Sequence, residues 1–138
     1  MQTPASTITV IDNEFVSMWF YVDKGILHHQ FHKYLWGQTF REALNKGVEV
    51  FQSHDASKWL SDDRKNAALS QADTEWAIGD WFPRVLKAGW KYWAIVLPEN
   101  VVGQMNMKRF IADYTKQGLS VRVFQDPISA MKWLEKPD

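Results

Sequence analysis

The first third of the chain carries short apolar stretches separated by tight polar breaks. Residues 7–11 are rich in β-branched side chains, and Asp12-Asn13-Glu14 interrupts them with turn-forming types. Residues 15–22 and 26–32 follow as two further strands around Asp23-Lys24-Gly25. A three-residue loop ending in glycine suits a type I turn closed by a left-handed residue. That register sets Val22 opposite Ile26, Phe20 opposite His28 and Trp19 opposite His29. Both faces of the hairpin keep apolar residues, so both are expected to be partly covered.

From Trp36 the period becomes helical. Phe40, Ala43, Leu44, Val48 and Phe51 recur at spacings of three and four and predict a helix over 38–52. A short strand over 58–61 leads into a polar loop over 62–70. Ser70 with Asp73 three residues on resembles a capping box, and it starts a helix over 71–88 that Gly89 stops. Pro83 lies inside that helix, four residues after Gly79, which predicts a kink rather than two separate helices. Residues 92–97 form an unbroken apolar run, the mark of a central strand buried on both faces. The helical region after Pro98-Glu99-Asn100 shifts its apolar stripe near residues 103–106, so a break is expected there. A strand over 119–124 and a helix over 128–135, capped by Asp126 and opened by Pro127, complete the chain. Residues 1–6 and 136–138 read as fraying ends.

Strands that alternate with helices imply right-handed crossovers. The fold class is α/β: a mixed, mostly parallel sheet opened by an antiparallel hairpin and flanked by about four helices. At 138 residues the chain fits one domain, with a core over about 7–135.

Composition narrows the function classes. Sixteen basic residues balance sixteen acidic ones, so binding to nucleic acid through phosphate neutralisation is not expected. Cysteine is absent, which removes disulfides, thiolate metal sites and thiol nucleophiles. No apolar run approaches the ~18 residues of a membrane span and no signal-peptide pattern opens the chain, so the expected location is the cytoplasm. Eight tryptophans lift the aromatic share to 14%, well above what the other counts lead one to expect.

Few residues group into recognisable chemistry. His28, His29 and His32 would be the candidate metal ligands, but on a strand His28 and His32 stand ~13 Å apart and His29 faces the other way. They read as sheet-face residues, and no metal or cofactor is expected. His54 suits the end of a helix. No G-x-S-x-G elbow, phosphate loop or dinucleotide fingerprint occurs, and no catalytic residue is assigned. Asp62, Asp63 and Arg64 form the densest polar stretch, after a strand and before a helix, where open α/β sheets take ligands. They read either as a binding loop, or as the residues of a small-molecule enzyme whose paired carboxylates could hold Mg²⁺ or act as acid and base, or as charges that pair among themselves. Trp76, Trp81 and Arg84 lie on the kinked helix, where apolar side chains on more than one face call for core burial or a partner. Asp80 and Arg84 suit an intrahelical ion pair. Trp36 and Trp90 stand at element ends where a cleft edge could form.

Several short strings occur together: Trp81-Phe82-Pro83-Arg84, Ala88-Gly89, Ala94-Ile95-Val96-Leu97-Pro98-Glu99 and Leu60-Ser61-Asp62-Asp63-Arg64. Near the end stand Val121-Arg122-Val123-Phe124 and Ala130-Met131-Lys132-Trp133-Leu134. Together they resemble the bacterial STAS-like group, also labelled SpoIIAA-like, over nearly the whole chain. The resemblance implies a mixed sheet flanked by helices and a non-enzymatic module that binds protein partners, switched by phosphorylation of a serine. The compact D-x-S string of that switch is missing, and Ser70 lies several residues beyond Asp62 and Asp63. The expectation is therefore a binding or regulatory module for a protein partner or a small apolar ligand. Its working surface is placed on residues 62–70, the start of the kinked helix and residues 98–104, and a homodimer would cover the helix's tryptophans.

Overall fold

A computed structural model describes residues 6–137, so most of the ends read as frayed lie outside the described residues. Six strands form one sheet in the order of the chain: β1 (Thr7–Asp12), β2 (Val16–Tyr21), β3 (Ile26–Phe31), β4 (Lys58–Asp62), β5 (Tyr92–Val96) and β6 (Ser120–Phe124). β1 and β2, and β2 and β3, pair antiparallel, and the remaining pairs are parallel. The α/β reading holds.

Because each crossover steps the same way along the sheet, the helices between the parallel strands share one face. α1 (Gly37–His54) buries Phe40, Ala43, Leu44, Val48 and Phe51 there, the stripe predicted from spacing. α2 (Gln71–Trp76), a π-helical turn (Ala77–Trp81), α3 (Phe82–Lys87) and α4 (Val101–Lys116) complete that layer. α5 (Pro127–Glu135) returns across the opposite face, where Ala130 and Leu134 pack on Ile26, Leu60, Ala94 and Val96. β5 is buried on both sides, as its unbroken apolar run requires.

Three local expectations are corrected. The hairpin register lies one residue from the predicted one: Tyr21 pairs with Ile26, Phe20 with Leu27 and Trp19 with His28. The loop has four residues, 22–25, because the Lys24 and Gly25 amides both donate to the Tyr21 carbonyl, at 3.1 and 2.8 Å. Gly25 still supplies the left-handed residue, at φ 66°. The helical run through Pro83 is continuous, as expected, but it is not α-helical throughout. A π turn precedes Pro83, in which the Phe82 amide reaches the Ala77 carbonyl, and the widened turn accommodates the proline within one continuous helical run. α4 is unbroken, because its buried stripe is Gly103, Met107, Phe110 and Tyr114 at one helical spacing. Val101, Val102 and Met105 fall off that stripe and are exposed.

Candidate functional site

Alternation along three adjacent strands builds an interior cavity of about 50 Å³ beneath the helical layer. β3 presents His29 and Phe31, β4 presents Trp59 and Ser61 with Asp63 just past its end, and β5 presents Trp93. From above come Phe40 of α1, Trp81 of the π turn, and Phe110 and Tyr114 of α4. Trp90, immediately before β5, closes one wall. Four tryptophans pack edge to face or tilted here: Trp59, Trp81, Trp90 and Trp93, with successive ring centroids 5.5–5.6 Å apart. Every one of their indole N–H groups is satisfied: Trp81 donates to the Leu44 carbonyl at 2.9 Å, Trp90 to the Tyr92 carbonyl at 3.0 Å, Trp93 to Ser61 Oγ at 2.8 Å, and Trp59 to His29 Nδ1 at 2.9 Å. Burial pushes the Tyr114 hydroxyl pKa up, which keeps it a donor toward the Ala77 carbonyl at 3.4 Å.

The Trp59 bond decides the state of His29. An indole nitrogen only donates, so Nδ1 must accept and the single ring proton sits on Nε2. Nε2 lies 2.7 Å from Asp63 Oδ1 and donates to it. Both side chains are buried, at 4% and 6% exposure. This is a neutral imidazole holding a carboxylate, not an ion pair. Among the described residues no Lys or Arg nitrogen comes within 4.0 Å of Asp63. The loop over 63–70 is tied down across the cavity. Asn106 Oδ1 accepts from the Leu69 amide at 3.1 Å, and Asn100 Nδ2 donates to the Asn66 carbonyl at 3.1 Å.

Asp62 points to the other face. Arg64 grips it with a two-pronged contact, Nε to Oδ1 at 2.9 Å and Nη2 to Oδ2 at 2.7 Å. The three loop residues therefore do not converge: Asp62 and Arg64 close on each other under α5, while Asp63 belongs to the cavity. His28 lies on the Asp62 side, where Tyr21 Oη meets its Nδ1 at 2.9 Å and its Nε2 is buried with no partner among the described residues. Burial lowers its pKa to about 4.

The other predicted residues separate by role. Ser70 caps α2 by accepting from the Asp73 amide at 3.1 Å. The Asp73 carboxylate does not complete a capping box. It turns instead to the Gly37 amide at 2.8 Å and Arg41 Nε at 3.1 Å, joining α2 to the start of α1. Trp76 is half-buried beside Phe40, with the Arg41 guanidinium 5.3 Å and the Arg84 guanidinium 6.0 Å from its ring. Arg84 holds Asp80 at 3.0 Å, the expected intrahelical pair, and Asn45 at 2.8 Å. Trp36 is 60% exposed and stacks on Tyr34. Trp81 takes the core-burial alternative, because the π turn aims it at α1, and Trp90, expected at a cleft edge, is a core residue because the loop before β5 tucks it beneath α4. Trp19 and Trp133 are half-buried on the α5 face.

His29, Ser61 and Trp59 were missed as site residues. The available signal was the period of two along β4, which separates Asp62 from Asp63 and groups Asp63 with Trp59 and Ser61. A Ser–His–acid contact was missed as well: Ser17 Oγ lies 2.7 Å from His32 Nε2 and donates to Asp12 Oδ1 at 3.2 Å. Its acid holds the hydroxyl rather than the imidazole, unlike a nucleophilic triad. Among the described residues no three His, Cys, Asp or Glu side chains stand close enough to hold a metal ion, and no helix is long and apolar enough to cross a membrane.

Comparison with known proteins returns no matching family model, no matching curated protein and no matching solved structure.

Proposed function

We propose that this chain is a non-enzymatic binding module of the STAS-like type, and that the interior cavity is where it takes a small, mostly apolar ligand. One observation carries this reading: a cavity walled by aromatic rings onto which a few polar groups, those of His29, Ser61, Asp63 and Asn66, converge. Binding is favoured over catalysis by the Asp62/Asp63/Arg64 loop, whose two carboxylates face opposite sides of the sheet. The test uses xenon and small alcohols as probes, followed through the tryptophan indole signals in NMR spectra. Saturable shifts of the Trp59, Trp81 and Trp93 signals are expected, and they should vanish when Ala77→Leu fills the space. No saturable shift with any probe refutes the reading.

A protein partner is the second reading, favoured by exposed apolar side chains at the carboxyl edge of the sheet. Trp36 precedes α1, Val101, Val102 and Met105 open α4, and Ile128 opens α5; each is at least 60% exposed. A second copy of the chain is one such partner. Light scattering that shows a monomer at high concentration removes the homodimer.

A further inference from the structure

The buried carboxylate at the cavity has no countercharge, and this deepens the ligand reading on which it rests. Asp63 is 4% exposed. Its one charged-type neighbour, His29, is held neutral by the Trp59 indole, and Arg64 is committed to Asp62 on the other face of the sheet. A carboxylate withdrawn from water is costly unless a cation or several donors meet it, and here one N–H meets it. Ser61 is a neutral hydroxyl, and its oxygen accepts from Trp93. The remaining wall is aromatic, and aromatic rings are the apolar side chains that attract cations.

From these three facts we infer that the cavity binds a small organic cation, an ammonium group carrying one to three methyl groups. Its N–H donates to the Asp63 carboxylate and its methyls lie against the tryptophans. A volume of about 50 Å³ suits a molecule of roughly two to four non-hydrogen atoms, and excludes larger amines. A retained N–H is required, so tetramethylammonium is disfavoured by both size and chemistry.

The experiment compares trimethylammonium chloride with propan-2-ol, a neutral molecule of similar size that also donates a hydrogen bond. Both are titrated into the full chain at constant ionic strength, with the Trp59 and Trp93 indole signals as readout. Saturable shifts are expected at millimolar trimethylammonium, with at least tenfold weaker binding of propan-2-ol. Asp63→Asn keeps an oxygen for His29 and should weaken the cation at least tenfold, its fold checked by circular dichroism. Equal binding of the two molecules, or undiminished cation binding by a folded Asp63→Asn protein, overturns the cation assignment and leaves a neutral ligand site standing. No saturable response to either molecule overturns both. The comparison of the two probes on the unaltered chain decides the question even if the variant fails to fold.

Discussion

The indole of Trp59 occupies the space that a side chain at Gly47 would fill. A Cβ built on Gly47 would lie 2.1 Å from Trp59 Cη2, so α1 can pass over β4 only because that position carries no side chain. The other end of the same indole holds His29, which makes a helix glycine part of the cavity's architecture. Gly47→Ala gains about 1 kcal/mol of helix propensity but overpacks a buried site, at a cost of about 1–3 kcal/mol. The expected net result is a loss of up to about 2 kcal/mol in urea unfolding, with a displaced Trp59 indole signal. Gly79→Ala is the control: a Cβ there meets nothing within 4 Å, and the same substitution should stabilise by up to about 1 kcal/mol.

The state of His29 is directly observable. A long-range nitrogen–proton NMR spectrum near neutral pH should show its proton on Nε2 and none on Nδ1, as the Trp59 and Asp63 contacts require. Trp59→Phe removes the donor and leaves Nδ1 buried without a partner, at a cost of about 1–3 kcal/mol before any loss of packing. In that variant the preference for Nε2 should weaken. Unchanged nitrogen shifts in Trp59→Phe would mean that Asp63 alone sets the tautomer.

What the sequence disclosed follows from how local each cause is. Ser70, Asn100 and Asp126 cap helices by contacts three residues long, so those helix starts could be read directly. The hairpin register could not, because three- and four-residue loops both end on a left-handed Gly25, and only the twin amide contacts to Tyr21 tell them apart. The π turn before Pro83 carries Trp81, whose indole meets the Leu44 carbonyl across 37 positions, a contact that no window of helical spacing contains. The site follows the same logic. Asp62 and Asp63 look like a pair along the chain, whereas the pleat separates them, and the partner of Asp63 lies 34 residues upstream on a strand whose adjacency only the fold supplies.

Asp73 does more for stability than its place in a cap motif indicates. Its carboxylate is buried and accepts from the Gly37 amide and Arg41, so it fastens α2 to α1. Asp73→Ala is expected to cost about 3 kcal/mol by stranding those donors. Ser70→Ala removes only the cap and should cost about 1 kcal/mol. Ser70→Asp should stay within about 0.5 kcal/mol of the unaltered chain, since aspartate caps as well as serine does. Chemical denaturation of the three variants gives the order, and a Ser70→Ala loss equal to that of Asp73→Ala would refute it.

His28 makes stability depend on acidity in a defined window. Burial is the main cause that lowers its pKa to about 4. Asp62 opposes this, and Arg64 adds to it. Between about pH 6.5 and pH 4 the unfolded chain therefore carries a proton at His28 that the folded chain excludes. The contribution is complete above about pH 6.5 and is lost as pH falls toward 4, at up to about 1.4 kcal/mol per pH unit. Paired carboxylates also lose stability on acidification, so the diagnostic quantity is the difference between the unaltered chain and His28→Gln. Glutamine keeps a polar group for Tyr21 and does not titrate. Urea unfolding at several pH values in this window should give a shallower slope for the variant, with the curves converging toward low pH. Parallel curves would show that the buried imidazole exchanges its proton with no cost to the fold.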